Sequence, residues 1–310
     1  MKFALVFPGQ GSQSIGMMNA YGACATIRGT FDEASAALGR DLWALATEGS
    51  AEAQNSTVNT QPLMLTAGVA VFRRWRELGG PLPAVMAGHS LGEYSALVAS
   101  GCLTLAQAAP LVELRARAMQ EAVPAGEGAM AAVLGLDAAA VVAACAQAAQ
   151  GQVVEAVNFN EPKQTVIAGH KAAVERAAEA VKAAGAKRAL MLPVSAPFHC
   201  SLMRPAAQRL EAALSGLAIC RPQVPVINNV DVLALDEPLA IAAALVRQAA
   251  SPVRWVDTMQ AMQAMGVTQV LECGPGKVLA GLAKRCVESL AGVSLADAAG
   301  LDAALASVRG

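Results

Sequence analysis

The 310-residue chain predicts an α/β protein: a parallel sheet covered by helices, interrupted by a small βαββαβ module. Three observations carry this expectation. Short apolar runs end in glycine-rich turns and lead into segments of helical spacing, as in strands that run the same way beneath covering helices. From residue 128 to residue 193 the rhythm changes to strand, helix, strand, strand, helix, strand, the order of a ferredoxin-like module. After it the alternation of helix and strand resumes.

In chain order, Phe3–Phe7 (FALVF) is an apolar run halted by Pro8 and reads as a buried strand. Gln61–Leu78 has helical length and spacing, with Arg73, Arg74 and Arg76 near its end, where cations suit the helix dipole. A strand is expected at Ala84–Ala87, then helices at Leu91–Ser100 and Leu105–Val123. The module follows with strands at Gly128–Leu134, Val153–Phe159, Thr165–Ala168 and Arg188–Leu192. Its helices are expected at Asp137–Gln150 and Lys171–Ala184. A last strand, Gln269–Glu272, precedes the loop Gly274-Pro275-Gly276. The division is therefore 1–127 with 194–310 as the main domain and 128–193 as the small one.

Composition narrows the function classes. Hydrophobic residues make up 55% and charged residues 15%, enough apolar content for a sizeable core. A net charge of −1 gives no electrostatic reason to expect nucleic acid or an anionic membrane as partner. The longest uncharged stretch, Tyr94–Val112, contains Gly101, Gln107 and Pro110 and reads as core, not as a membrane span. The N-terminal MKFALVF meets Pro8-Gly9 too early for a signal peptide. Seven scattered cysteines form no CxxC pair or zinc spacing, so buried reduced thiols and no metal are expected. A cytoplasmic monomer is the expectation.

The chemistry centres on VMAGHSLGEYSAL (Val85–Leu97), where Ser90 stands between Gly88 and Gly92 at a strand-to-helix turn. Small neighbours let the backbone bend sharply there and lift a hydroxyl clear of the sheet. The N–H of Leu91 then points toward any oxyanion formed at Ser90. A serine nucleophile needs a base. Of the three histidines, His89 adjoins Ser90 and points elsewhere, and His170 opens a helix of the small module, leaving His199 in VSAPFHCSLM. No acid stands out as a third member; Asp231, Asp236, Asp257 and Glu272 are equal by order, and a dyad is equally open. FPGQGSQ (Phe7–Gln13) has glycines at 9, 11 and 16 and so misses the dinucleotide spacing. As a tight loop at a strand's carboxyl end it offers the Gln10 N–H as a second oxyanion donor.

FPGQGSQ, GHSLGEYSAL, Phe198-His199, PVINNVD (225–231), LVRQAASPVRW (245–255) and GPGKVLAGL (274–282) occur in the order found in the malonyl-CoA:acyl carrier protein transacylases of fatty acid synthesis. The chain resembles that family from Lys2 to about Val287. The resemblance implies an α/β-hydrolase-like core with a ferredoxin-like insert, Ser90 as acyl-accepting nucleophile and His199 as its base. It implies Gln10 and Leu91 as oxyanion donors, and Gln248 as the residue whose backbone carbonyl orients the histidine. Arg115, not its neighbour Arg117, resembles the arginine that grips the malonyl carboxylate. Phe198 matches the position where, in polyketide synthase acyltransferase domains, phenylalanine goes with malonyl and smaller residues with methylmalonyl. The implied substrates are a coenzyme A thioester and holo acyl carrier protein, with no cofactor. The carrier belongs to fatty acid or to polyketide synthesis. Its acidic surface is expected to meet basic residues, with Lys187, Arg188 and Arg204 nearest the His199 segment. A hydrolase on a similar core is the nearest rival.

Overall fold

The computed structural model describes residues 2–309. The N-terminal strand β1 (Phe3–Phe7) leads into four helices, α1 (Ala25–Leu38), α2 (Leu42–Glu48), α3 (Ala51–Asn55) and α4 (Thr57–Glu77). Strand β2 (Val85–Gly88), α5 (Gly92–Ala99) and α6 (Leu105–Glu121) come next. The second sheet contributes β3 (Gly128–Leu134), α7 (Ala138–Ala149), β4 (Val154–Glu161), β5 (Gln164–His170), α8 (Lys171–Ala183) and β6 (Arg188–Met191). The chain finishes with α9 (Arg204–Leu214), β7 (Val226–Ile227), α10 (Pro238–Ala249), α11 (Trp255–Ala264), β8 (Gln269–Glu272), α12 (Val278–Cys286), β9 (Ala291–Ser294) and α13 (Ala298–Arg309).

The larger sheet has the order β7-β2-β1-β8-β9, with every neighbouring pair parallel. Strands β7, β2, β1 and β8 are buried at every position because helices cover each side, whereas the edge strand β9 is exposed or half-buried. The register decides where chemistry is placed. Phe7 pairs with Gly88, Val6 with Glu272, and Ala87 with Ile227. The segments after β1, β2, β7 and β8 therefore leave the sheet at one edge, the place where open parallel sheets gather functional loops.

The smaller sheet is antiparallel, ordered β4-β5-β3-β6. One face packs Val133, Ile167 and Ala131 against Val141, Val174 and Val181 of α7 and α8. The other face presents Met130, Val157, Val166 and Ala168 to Cys200 and Phe198. The small sheet is thus the floor under the His199 segment. Val157 and Phe159 of β4 exchange backbone hydrogen bonds with Val253 (2.8 and 3.0 Å), which ties the two sheets together beside that segment.

Two expectations change. The helix predicted from Gln61 starts earlier, at Thr57, so Pro62 lies inside it. A proline there cannot bond the Val58 carbonyl, and that oxygen accepts instead from Arg40 Nη2 at 3.3 Å. The thiols are not uniformly buried: Cys220 is exposed and Cys24 is half-buried, while the other five are buried. Cys220 lies in the irregular chain between α9 and β7. No described helix is long and apolar enough to cross a membrane.

Candidate active site

Ser90 sits in the left-handed region at φ 53°, between the end of β2 and the start of α5. The glycines beside it answer to close packing. A Cβ on Gly88 would fall 1.8 Å from the Gly92 carbonyl carbon, and one on Gly92 would fall 2.0 Å from the Phe7 oxygen. The first turn of α5 folds back onto the ends of β1 and β2, leaving no room for side chains. A buried amide then clamps the strained turn. Asn229, just past β7, accepts from the Ser90 N–H at 2.8 Å and donates Nδ2 to the Gly88 carbonyl at 2.7 Å.

His199 Nε2 lies 2.7 Å from Ser90 Oγ. His199 is itself left-handed, at φ 67°, and only 3% exposed. Its Nδ1 is 2.9 Å from the Gln248 backbone oxygen. A carbonyl only accepts, so Nδ1 carries the proton and Nε2 is free to accept from the serine hydroxyl. Gln248 is in the last turn of α10, where carbonyls lack helical partners. The residue four positions on is Pro252, which has no N–H to compete for that oxygen. The four carboxylates considered from sequence are engaged elsewhere: Asp231 with Arg247, Asp236 with Arg221, Asp257 with Arg254, and Glu272 with the Ala280 N–H.

Burial first, and then the Arg115 cation, push the His199 pKa down to about 3, so the imidazole is neutral at physiological pH. Both causes disfavour imidazolium. In NMR spectra the His199 ring is therefore expected not to titrate between about pH 8 and pH 5. Arg115→Ala removes one cause and is expected to move the midpoint upward. A wild-type midpoint near the ordinary histidine value would contradict this environment.

Arg115 is 2% exposed, on the inner face of α6. Its Nη1 donates to Gln61 Oε1 at 2.8 Å, and its Nη2 to Ser90 Oγ at 3.1 Å and Gln248 Oε1 at 3.0 Å. The guanidinium also lies 5.4 Å from the centre of the Tyr94 ring. Arg117 points away, half exposed and 3.7 Å from Glu113. Beside Ser90 a cleft of about 590 Å³ runs between the two sheets, with Gln10, Leu91, Arg115 and Phe198 among its walls. Met119 and Met130 join Phe198 as its apolar lining. Neither the Gln10 nor the Leu91 amide N–H has a hydrogen-bond partner among the described residues.

Seven residues singled out from sequence meet here, Ser90, His199, Arg115, Gln248, Gln10, Leu91 and Phe198, whereas Lys187, Arg188 and Arg204 do not line the cleft. His89 faces away, its Nε2 2.8 Å from Asn160 Oδ1 and its ring against Trp255. His170 precedes α8, and its Nδ1 accepts from the Val153 N–H. Sequence reasoning missed Gln61, Glu93 and Asn229. The last two lie within strings already noted, GHSLGE and PVINNVD, but an amide or a single acid carries no spacing signal of its own. Among the described residues no group of three His, Cys, Asp or Glu side chains could hold a metal ion.

The serine at the strand-to-helix turn, the buried neutral histidine and the buried arginine at one sheet edge fit an acyltransferase, and the chain belongs to the acyl transferase domain family, whose profile matches residues 4–303. Within it, the chain is 56% identical to the malonyl CoA-acyl carrier protein transacylase of Salmonella typhimurium, over 98% of this chain and 99% of that one. The crystal structure of an acyl-carrier-protein S-malonyltransferase from Burkholderia pseudomallei superposes with a TM-score of 0.97 at 57% identity, covering 99% of this chain and 100% of that one. A malonyl-transacylase in complex with a type II polyketide synthase acyl-carrier protein matches with a TM-score of 0.98 at 54% identity, covering 99% and 100%.

Proposed function

We propose that the protein moves a malonyl group from malonyl-CoA to the phosphopantetheine thiol of acyl carrier protein, by way of malonyl-Ser90. The observation that carries this reading is the double contact on Ser90 Oγ: His199 Nε2 at 2.7 Å and Arg115 Nη2 at 3.1 Å. A base beside the hydroxyl makes a nucleophile. A guanidinium equally close makes a site for an acyl group that ends in a carboxylate, which a planar fork of donors can hold in two parallel bonds.

In the first half-reaction His199 Nε2 takes the hydroxyl proton as Ser90 Oγ adds to the thioester carbonyl. The free N–H groups of Gln10 and Leu91 receive the oxyanion. The C–S bond breaks, the proton passes from Nε2 to the leaving thiolate, and coenzyme A departs. In the second, the carrier thiol gives its proton to Nε2 and attacks the ester, and Ser90 recovers the proton as the C–O bond breaks. Arg115 holds the carboxylate through both. Thioester becomes ester and then thioester with no redox change, so the chain's own residues suffice. Phe198 takes up the space an added methyl would need, a preference of about 1–3 kcal/mol for malonyl over methylmalonyl.

In this reading residues 1–127 and 194–310 form an α/β-hydrolase-like catalytic domain, and 128–193 a ferredoxin-like one. The support is the all-parallel order of the first sheet and the β4-β5-β3-β6 order of the second. The protein works as a cytoplasmic monomer, and the carrier docks by the exposed residues Lys187, Arg188 and Arg204. The complex of a relative with a type II polyketide synthase acyl-carrier protein makes such a carrier the alternative to a fatty acid carrier.

Intact mass after brief mixing with malonyl-CoA tests the proposal. A malonyl adduct is expected on wild type and not on Ser90→Ala, discharged by holo acyl carrier protein and little by water. No adduct on wild type, or one lost to water as fast as to the carrier, would overturn it in favour of an inactive relative or a thioesterase.

A further inference from the structure

Gln248 touches both halves of the site. Its backbone oxygen accepts from His199 Nδ1 at 2.9 Å, and its side-chain Oε1 accepts from Arg115 Nη2 at 3.0 Å. The other end of the amide, Nε2, donates to Glu93 Oε2 at 2.8 Å and to the Ser90 carbonyl at 3.0 Å. Glu93 Oε2 also accepts from the Asn229 N–H at 2.9 Å, and Asn229 is the residue that clamps the Ser90 turn. Glu93 is 2% exposed, and Asn229 and Gln248 are fully buried.

The chemistry of this chain of contacts allows one arrangement. A guanidinium only donates, so the amide between Arg115 and Glu93 must turn its oxygen to the arginine, which leaves its nitrogen to donate to Glu93 Oε2. Among the described residues Glu93 makes no ion pair within salt-bridge distance; its link to the Arg115 charge passes through the Gln248 amide. On its far side Glu93 borders a small void walled by Val226, Leu235 and Ile241. Keeping a carboxylate in such surroundings is costly unless its hydrogen bonds are fixed and strong. A glutamine-sized apolar residue would fill the same volume without that cost.

Resting on the malonyl-transfer reading, we propose that Glu93 is a positioning residue of the reaction. It locks the Gln248 amide so that one residue aims Arg115 with its side chain while its backbone holds His199. Grip on the carboxylate and orientation of the base are thereby fixed by the same buried carboxyl group, whose Oε2 accepts from both Gln248 and Asn229.

The test is a double-mutant cycle read by the rate of malonyl loading per folded protein, with thermal melting as the check on folding. Glu93→Ala is expected to slow loading about 10- to 100-fold, the worth of hydrogen bonds to a charged group. Combined with Gln248→Ala, it is expected to add little beyond Gln248→Ala alone, because both changes remove the same link. Glu93→Gln keeps an oxygen able to accept both N–H groups and is expected to restore most of the rate. If the alanine variant does not fold, Glu93→Asp serves in its place: the carboxyl group stays but withdraws by one methylene. Its loading is expected to be slow, and no slower in the Gln248→Ala background than Gln248→Ala alone.

Effects that multiply in the double variant, or a Glu93→Gln variant as slow as Glu93→Ala, would overturn the proposal. So would lowered melting with unchanged loading, which would make Glu93 only a packing residue. Wild type in the same experiment separates the two readings. If wild type takes no malonyl onto Ser90, the function falls; if wild type loads and the variants match it, the role of Glu93 alone falls.

Discussion

His199→Ala is expected to lower the rate of Ser90 loading by about 10⁴- to 10⁶-fold, and discharge to the carrier by a comparable factor. The size follows from what the imidazole does. A serine hydroxyl is almost wholly protonated near neutral pH, and its proton must leave as the Oγ–C bond forms. His199 Nε2, neutral and 2.7 Å away, is the only imidazole placed to take it. His89, one residue from Ser90, is turned toward Asn160 and offers no substitute. Rapid mixing followed by intact mass reads the first half-reaction, and holo-carrier chase of pre-formed adduct reads the second. A variant that loads at the wild-type rate would remove His199 as base.

Arg115→Ala is expected to lower kcat/KM for malonyl-CoA by about 10³- to 10⁴-fold while changing the acetyl reaction far less, so that the preference between the two narrows or inverts. Arg115 is buried with three polar partners, Gln61, Gln248 and Ser90 Oγ. A malonyl carboxylate completes the fork with an opposite charge, whereas an acetyl methyl group there would leave the guanidinium facing carbon. The discrimination is thus a penalty on the wrong acyl group as much as a reward for the right one. Competition between the two thioesters, scored by adduct mass, measures it directly. Unchanged selectivity would sink the assignment.

The ease with which parts of this molecule can be read from sequence tracks the length scale of the physics involved. Strands such as Phe3–Phe7, Gly128–Leu134 and Gln269–Glu272 are legible to the residue, because an apolar run bounded by breakers carries all its information locally. Helices α1–α3, between Ala25 and Asn55, leave little trace: two are only 7 and 5 residues long, and their apolar stripes are thin. Arg115 and Arg117 are indistinguishable as letters; only the packing of α6 against α4 makes one buried and the other solvated. Gln248 was legible through family resemblance, and Glu93, Asn229 and Gln61 were not legible at all. Glu93 reaches the site locally, in the first turn of α5 three residues after Ser90, but Asn229 and Gln61 reach it because β7 lies beside β2 and α4 beside α6, which are long-range facts.

The partner of His199 Nδ1 is a main-chain oxygen at a helix end, left free by Pro252. An aspartate in that place would be a titrating group, and mild acid would eventually strip it of its charge. The peptide carbonyl has no proton to gain in that range, and it carries the partial negative charge of the α10 terminus at every pH at which the fold persists. The imidazole is therefore held in one tautomer by an acceptor that acid cannot silence and that no side-chain replacement at position 248 deletes. What can disturb it is a shift of the main chain itself. For this dyad, robustness of the chemistry is robustness of the last turn of α10.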